Sequence, residues 1–228
     1  MSPSQEILRQ AFPDKATPQV SSGITYIESC LKHVNETFKA SKVYLIASGS
    51  LTRNTTFTSD LQKALGPKLA KTRVGMTPHT MMSEVLEVVE DARNVEADCI
   101  VTLGGGSLSD AAKLVSFVSH LSPILHQCTN QVQALANNVH NKSDLQKLPY
   151  IGNETVYPPA LASKIPIIYI PTSLSGGEYS VYSGTTDDET HTKYQFAHLS
   201  NRHLSLSSPA LSPERPHLTY GCNPESVV

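Results

Sequence analysis

Apolar residues in this chain fall into short blocks that alternate between helical and strand-like spacing. "ITYIESCLKHVNETFK" places Ile24, Ile27, Leu31, Val34 and Phe38 three or four positions apart, the pattern of a helix with one buried face. "KVYLIASGSL" is a compact apolar run breaking at Ser48, Gly49 and Ser50, which predicts a strand, and "FTSDLQKALG" predicts a helix stopped by Gly66. A weaker strand in "KTRVGM" precedes the strong helix "HTMMSEVLEVVEDARNV", with Met82, Val85, Leu86, Val89 and Ala92 on one face. "DCIVTLGGGS" then reads as a buried strand running into glycines, and "LSDAAKLVSFVSHL" restores helical spacing at Leu108, Ala111, Ala112, Val115 and Val118. Strands alternating with helices predict an α/β fold with a doubly wound parallel sheet.

From Ser122 to Lys164 this pattern dissolves into a long loop, with some helix expected near "CTNQVQALANNVH". "KIPIIYIPTSLSGGEYS" repeats the strand-into-small-polar design, and "YSGTTDDETHTKYQFAH" predicts a hairpin. The expected organisation is a polar leader over residues 1–20, an α/β domain over 21–200, and an atypical, poorly ordered tail over 201–228 that is rich in Ser, Pro and His.

Composition narrows the function classes. The chain has 228 residues, 39% of them hydrophobic, enough for a real core. A net charge of −2 offers no basic surplus for a nucleic-acid backbone, which argues against a DNA or RNA partner. Cys30, Cys99, Cys128 and Cys222 are widely spaced, so neither a zinc ribbon nor a disulfide framework is indicated. "MSPSQEILRQAFPDK" lacks the apolar core of a signal peptide and no run approaches membrane-spanning length, so a cytoplasmic protein without a membrane partner is expected.

Gly104, Gly105 and Gly106 stand where a parallel strand meets a helix, the place where ligands bind in open α/β sheets. Without Cβ atoms the backbone N–H groups can approach an anion, Ser107 adds a hydroxyl, and the helix start favours negative charge. Neither the dinucleotide pattern G-x-G-x-x-G nor a P-loop is present. The same residues also suit a plain strand-to-helix turn capped by Ser107 or Ser109, with Asp110 complementing the helix dipole.

"GGGSLSDAAK" resembles the G-G-G-S-x-x-D-x-A-K signature of the iron-containing (group III) alcohol dehydrogenases, and "IPTSLSGGEYS" resembles the short second loop of their maleylacetate reductase branch. The similarity runs from about Val20 to His198. It implies a Rossmann-like domain binding NAD(P), with Gly104, Gly105, Gly106 and Ser107 on the pyrophosphate, Asp110 near the nicotinamide side, Thr172, Ser173 and Ser175 on the nicotinamide half and phosphates, and Lys193 facing the cofactor. His79 lies where relatives carry Asn or His near the cofactor. Ser48 stands where many members bind the adenosine ribose with an acid; a carboxylate there would repel a 2′-phosphate, so its absence leaves both NAD and NADP open.

The resemblance further implies an all-helical second domain whose Asp and three His bind Fe²⁺ or Zn²⁺, and this is expected to be missing. Counting on from Gly221 gives Asn223 and Val227 where an Asp and a His belong. His198, His203, His217 and Cys222 match no recognised ligand spacing, so no metal ligand and no catalytic residue is assigned. A truncated dehydrogenase whose message is read differently after about His198 is the expectation. The implied activity is NAD(P)-dependent interconversion of a small alcohol and a carbonyl, or reduction of a maleylacetate-like substrate. The alternatives are a catalytically dead nucleotide-binding or regulatory protein, and the related sugar-phosphate cyclase or glycerol dehydrogenase branch. Apolar surface left by a missing half-domain predicts poor solubility or a homodimer.

Overall fold

The uninterrupted apolar runs of the sequence become the centre of one sheet. A computed structural model of the chain describes residues 5–118, 139–148, 150, 165–180, 182–197 and 203–206. Its main sheet holds β1 (Ile7–Phe12), β2 (Lys15–Ser22), β3 (Val43–Ala47), β4 (Leu69–Val74), β5 (Cys99–Gly104) and β6 (Ile167–Pro171). A separate hairpin of β7 (Tyr182–Thr186) and β8 (Lys193–Ala197) precedes the last strand of that sheet, β9 (His203–Leu206). The spatial order is β1-β2-β9-β6-β5-β3-β4, and every neighbouring pair is parallel except β1 with β2.

Helices cover both faces, which is why alternate residues of the central strands are apolar in both directions. The helices are α1 (Tyr26–Lys32), α2 (Gly49–Asn54), α3 (Phe57–Leu65), α4 (Met82–Asn94), α5 (Gly106–Val118) and α6 (Lys142–Gln146). On one face Tyr44, Ile46, Ile100 and Tyr169 pack with Val85, Val89 and Val115 of α4 and α5. On the other, Val43, Leu45, Val101 and Ile168 pack with Cys30 of α1 and Leu61 of α3. Taking each such aliphatic side chain out of water contributes about 1.5–3 kcal/mol. The fold is therefore the doubly wound α/β architecture that the strand-helix alternation predicts.

Several expectations need correction. Residues 1–20 include more than a polar leader, because β1 and most of β2 lie there as an antiparallel edge hairpin. The stretch 201–228 is not without structure either: β9 is inserted between β2 and β6, with Leu204 opposite both Gln19 and Ile168. α2 follows β3 directly and buries no residue, so apolar spacing does not announce it. The helix expected near "CTNQVQALANNVH" lies almost entirely outside the described residues, as does the tail beyond Leu206.

The first helix turns a different face inward from the one its spacing predicts. Thr25 and Glu28 form a reciprocal cap, with Glu28 N donating to Thr25 Oγ1 at 3.2 Å and Thr25 N donating to Glu28 Oε2 at 3.0 Å. The helix then widens into a π-helical turn over His33–Thr37, and Ser29, Cys30, His33 and Val34 are buried while Ile27 and Leu31 are only half-buried. The polar members of that face answer Glu6. Its Oε1 lies 2.7 Å from His33 Nε2 and accepts from the Ser21 hydroxyl, and its Oε2 is 2.6 Å from Lys32 Nζ. Burial opposes ionisation of Glu6, yet the bonds from Lys32, Ser21 and His33 hold its carboxyl down at about 2. This network fastens the edge hairpin to the first helix.

Candidate functional site

The order in which successive strands are added to the sheet changes sides at β3. β3 has β4 on one side and β5 on the other, so the crevice at the C-terminal ends of β3 and β5 is the topological switch point. Three hydrogen bonds align the loops there: Gly75 N donates to Ala47 O at 2.8 Å, Ser48 N to Leu103 O at 2.8 Å, and Thr172 N to Gly104 O at 3.1 Å. The turns leaving β4, β3, β5 and β6 thus form one continuous shelf.

The glycines of the β5–α5 turn leave room for what lies beside them. A Cβ on Gly104 would sit 2.7 Å from Leu108 Cδ2 and 3.1 Å from Ser48 Cβ. One on Gly105 would sit 3.2 Å from Ser173 Oγ, and one on Gly106 2.9 Å from Ser175 Oγ. The turn and the loop after β6 therefore face each other across a cradle that side chains would fill. At its floor a Cβ on Gly177 would lie 3.5 Å from Gly106 Cα. Gly176 takes a left-handed φ of +65°, which lets the loop bend into the short 3-10 turn Gly177–Tyr179.

A residue not singled out in the sequence, Lys113, holds the two loops together. It is fully buried on α5, and its Nζ donates to Gly177 O at 3.0 Å, Ser180 O at 3.5 Å and Tyr182 O. Asp110 Oδ1 lies 3.0 Å from the same nitrogen. Glu178 is buried in the second loop. Burial, and then the negative fields of Asp110 and Glu178, push the Tyr169 hydroxyl well above its ordinary range.

Lys193 and His79 border a common cavity of about 550 Å³, together with Met81, Thr186 and His191. Its wall is fixed by Thr80 O, which accepts from Thr186 N at 3.0 Å and Thr185 Oγ1 at 2.6 Å, and Thr80 Oγ1 reaches Ser107 O at 3.3 Å. A Cβ on Gly184 would be 3.0 Å from Lys193 Cε and 3.9 Å from Asp110 Oδ2, so this glycine lets the two side chains approach. The two aspartates of the hairpin tip are anchors that sequence reasoning passed over. Asp187 is buried against Lys142 Nζ at 2.8 Å and Gln146 Nε2 at 3.0 Å. Asp188 caps α4 through Ser83 N at 3.0 Å. Lys142 first, with the amides of Thr190 and Glu189, holds Asp187 at about 2.

Ser48, His79, Gly104, Gly105, Gly106, Ser107, Asp110, Thr172, Ser173, Ser175 and Lys193 thus lie around the C-terminal ends of the central strands, linked by the contacts above. The cradle fits an extended anionic ligand: small residues clear the floor, hydroxyls of Ser173 and Ser175 line it, and the 13-residue helix α5 starts at it. Among the described residues no three His, Cys, Asp or Glu side chains converge, so no donor set there fits an iron or zinc ion. No described helix is long and apolar enough to cross a membrane.

Comparison with known proteins agrees with this fold. Residues 21–203 match the protein family described as iron-containing alcohol dehydrogenase. Dehydrogenase FUM7 of Gibberella moniliformis is 31% identical over 222 residues, covering 92% of this chain and 49% of that protein. Among solved structures, the iron-containing alcohol dehydrogenase of Thermococcus thioreducens aligns with a TM-score of 0.59 at 18% identity, covering 80% of this chain and 44% of that one. Maleylacetate reductase of Agrobacterium tumefaciens aligns with a TM-score of 0.54 at 16% identity, covering 85% and 41%. The chain spans about half the length of these relatives.

Proposed function

The chain belongs to the iron-containing alcohol dehydrogenase family, and on that premise we propose that its α/β domain binds a nicotinamide dinucleotide, NAD(P), for hydride transfer between a small alcohol and a carbonyl, or for reduction of a maleylacetate-like substrate. One observation carries this reading: Gly105 and Gly106 face Ser173 and Ser175 across a cradle that any Cβ would narrow, at the switch point of a doubly wound sheet. Gly104, Gly105, Gly106 and Ser107 would hold the pyrophosphate. Thr172, Ser173 and Ser175 would hold the nicotinamide half from the opposite side, with His79, Asp110 and Lys193 bordering it. A bound nicotinamide supplies or accepts hydride at its C4. Lys113 keeps the two loops at a fixed separation, and the Ser48 hydroxyl borders the adenosine end. No step is assigned to a metal, because the described residues offer no donor set for one.

The proposal includes a homodimer, for which the exposed Ile7 and Leu8 of edge strand β1 are the supporting feature; size-exclusion chromatography checks it. The main test is a fluorescence titration of the chain with NADH and NADPH, followed by an assay of alcohol turnover with added Fe²⁺ or Zn²⁺. Saturable dinucleotide binding is expected. Binding without metal-dependent turnover would leave a nucleotide-binding role and reject catalysis by this chain alone.

A further inference from the structure

Phe12 and Lys15 are the last paired residues of the N-terminal hairpin, where β1 turns into β2. This tip touches the candidate site from outside it. The Phe12 ring meets the Tyr179 ring edge to face, with centroids 6.5 Å apart and planes at 88°, and Lys15 Nζ stands 5.3 Å from the Phe12 centroid. Tyr179 ends the short 3-10 turn of the loop after β6, the loop whose Ser173 and Ser175 face the glycines. We propose that the N-terminal hairpin braces this loop through Phe12 and Tyr179, so that docking of the hairpin and binding of the dinucleotide are coupled; this rests on the reading of the crevice as a dinucleotide site.

The way the loop is held carries the inference. Ahead of its exposed residues Thr172 N donates to Gly104 O at 3.1 Å, and behind them Lys113 Nζ donates to Gly177 O at 3.0 Å. Between these pins Ser173, Leu174 and Ser175 make no backbone–backbone hydrogen bond among the described residues, and Leu174 is 92% exposed. Their direction is therefore set at Gly176, which takes the left-handed φ of +65°. Tyr179 packs on that bend: its N donates to Gly176 O at 3.0 Å, and a Cβ on Gly176 would lie 4.0 Å from Tyr179 Cδ2. Tyr179 thus rests against Gly176 on one side and Phe12 on another, and both rings are half-buried. The hairpin is otherwise fastened away from the site, to β9 by strand pairing and to the first helix through Glu6. Coupling of this kind is reciprocal: a hairpin that steadies the cradle raises affinity for the ligand, and a bound ligand steadies the hairpin by the same factor.

The test combines fluorescence titration of the whole chain with NADH and NADPH and amide hydrogen exchange, for the wild type, Phe12→Ala, Phe12→Tyr, Tyr179→Ala and the double variant Phe12→Ala/Tyr179→Ala. Phe12→Ala is expected to weaken dinucleotide binding by about 5-fold, the scale of one edge-to-face ring pair, and Phe12→Tyr, which keeps the ring, to stay within about 2-fold of wild type. The double variant should lose little more than Tyr179→Ala alone, because both substitutions break the same contact. Saturating dinucleotide should slow exchange in β1 and β2 of the wild type and do so less in Phe12→Ala, with exchange of the unliganded variants in β5 unchanged. Phe12→Leu, which keeps apolar volume without the ring, serves in place of Phe12→Ala if the latter does not fold. Unchanged affinity in the variant without the Phe12 ring, or additive losses in the double variant, overturns the brace while leaving the dinucleotide reading intact. A wild-type chain that binds neither dinucleotide overturns that reading and the coupling with it.

Discussion

Lys113 Nζ lies 3.0 Å from Asp110 Oδ1 one turn earlier on α5, and the lysine side chain is fully buried while the aspartate is 34% exposed. The partly solvated carboxylate and three backbone carbonyls compensate an ammonium that water cannot reach. Replacing Lys113 by Met should destabilise the fold by about 3 kcal/mol, because carbonyls of the second loop lose their donor in a dry site. Urea denaturation monitored by circular dichroism measures it. A loss below about 1 kcal/mol would mean that the loop is held by other contacts.

Gly106 separates binding from stability. It is the first residue of α5, where alanine is at least as good a helix former, so Gly106→Ala should change stability by less than about 1 kcal/mol. Its Cβ would arrive 2.9 Å from Ser175 Oγ and narrow the cradle, so dinucleotide affinity should fall by about 10-fold or more. Parallel thermal melts and dinucleotide titrations distinguish these effects. Unaltered affinity would place the ligand elsewhere.

Asp188 reaches from the hairpin to the start of α4, accepting from Ser83 N and from Ser83 Oγ at 2.5 Å. Asp188→Ala removes an N-terminal cap and should cost about 1 kcal/mol. Hydrogen exchange at the first turn of α4 should rise in the variant, whereas protection of β5 should stay the same. Uniformly faster exchange would instead indicate global loosening.

Acid should weaken the fold through two carboxylates. Glu6 and Asp187 titrate at about 2 in the folded protein, below their ordinary 4.5 and 3.8. A depressed carboxylate contributes stability that is complete above its ordinary value and disappears as pH falls through its folded value. The melting temperature should therefore decline as pH drops from 4.5 toward 2, and Glu6→Gln should flatten part of that decline. Melts between pH 7 and pH 2 that show the same slope in the variant would remove Glu6 from the account.

Legibility in the sequence followed burial and length. β5, its glycine turn and α5 were plain because an apolar run, a break and helical spacing follow one another without interruption. β1 and β2 were missed because an edge hairpin with mixed residues such as "ILRQAF" and "KATPQVSS" has no consistent alternation. β9 has only four residues, too few for a period to register. The inward face of the first helix was misjudged because partners outside it, Glu6 and Ser21, recruit Ser29 and His33. At the site, the glycines and serines were found from their motif. Lys113 and Asp187 do not stand out in the sequence, because a charged side chain ordinarily reads as surface and nothing local says which one the fold will bury.

The position of β9 has a bearing on how the sheet can assemble. β2, made early in synthesis, finds its inner neighbour only when His203–Leu206 arrives, since Gln19 pairs with Leu204 across nearly the whole chain. Closing so distant a pair is slow, and until then the edges of β2 and β6 stand open. The four-residue strand acts as a keystone: the helix-covered strands β3 to β6 can form among themselves, but the N-terminal hairpin, held to the first helix through Glu6, enters the hydrogen-bonded sheet only when β9 is in place.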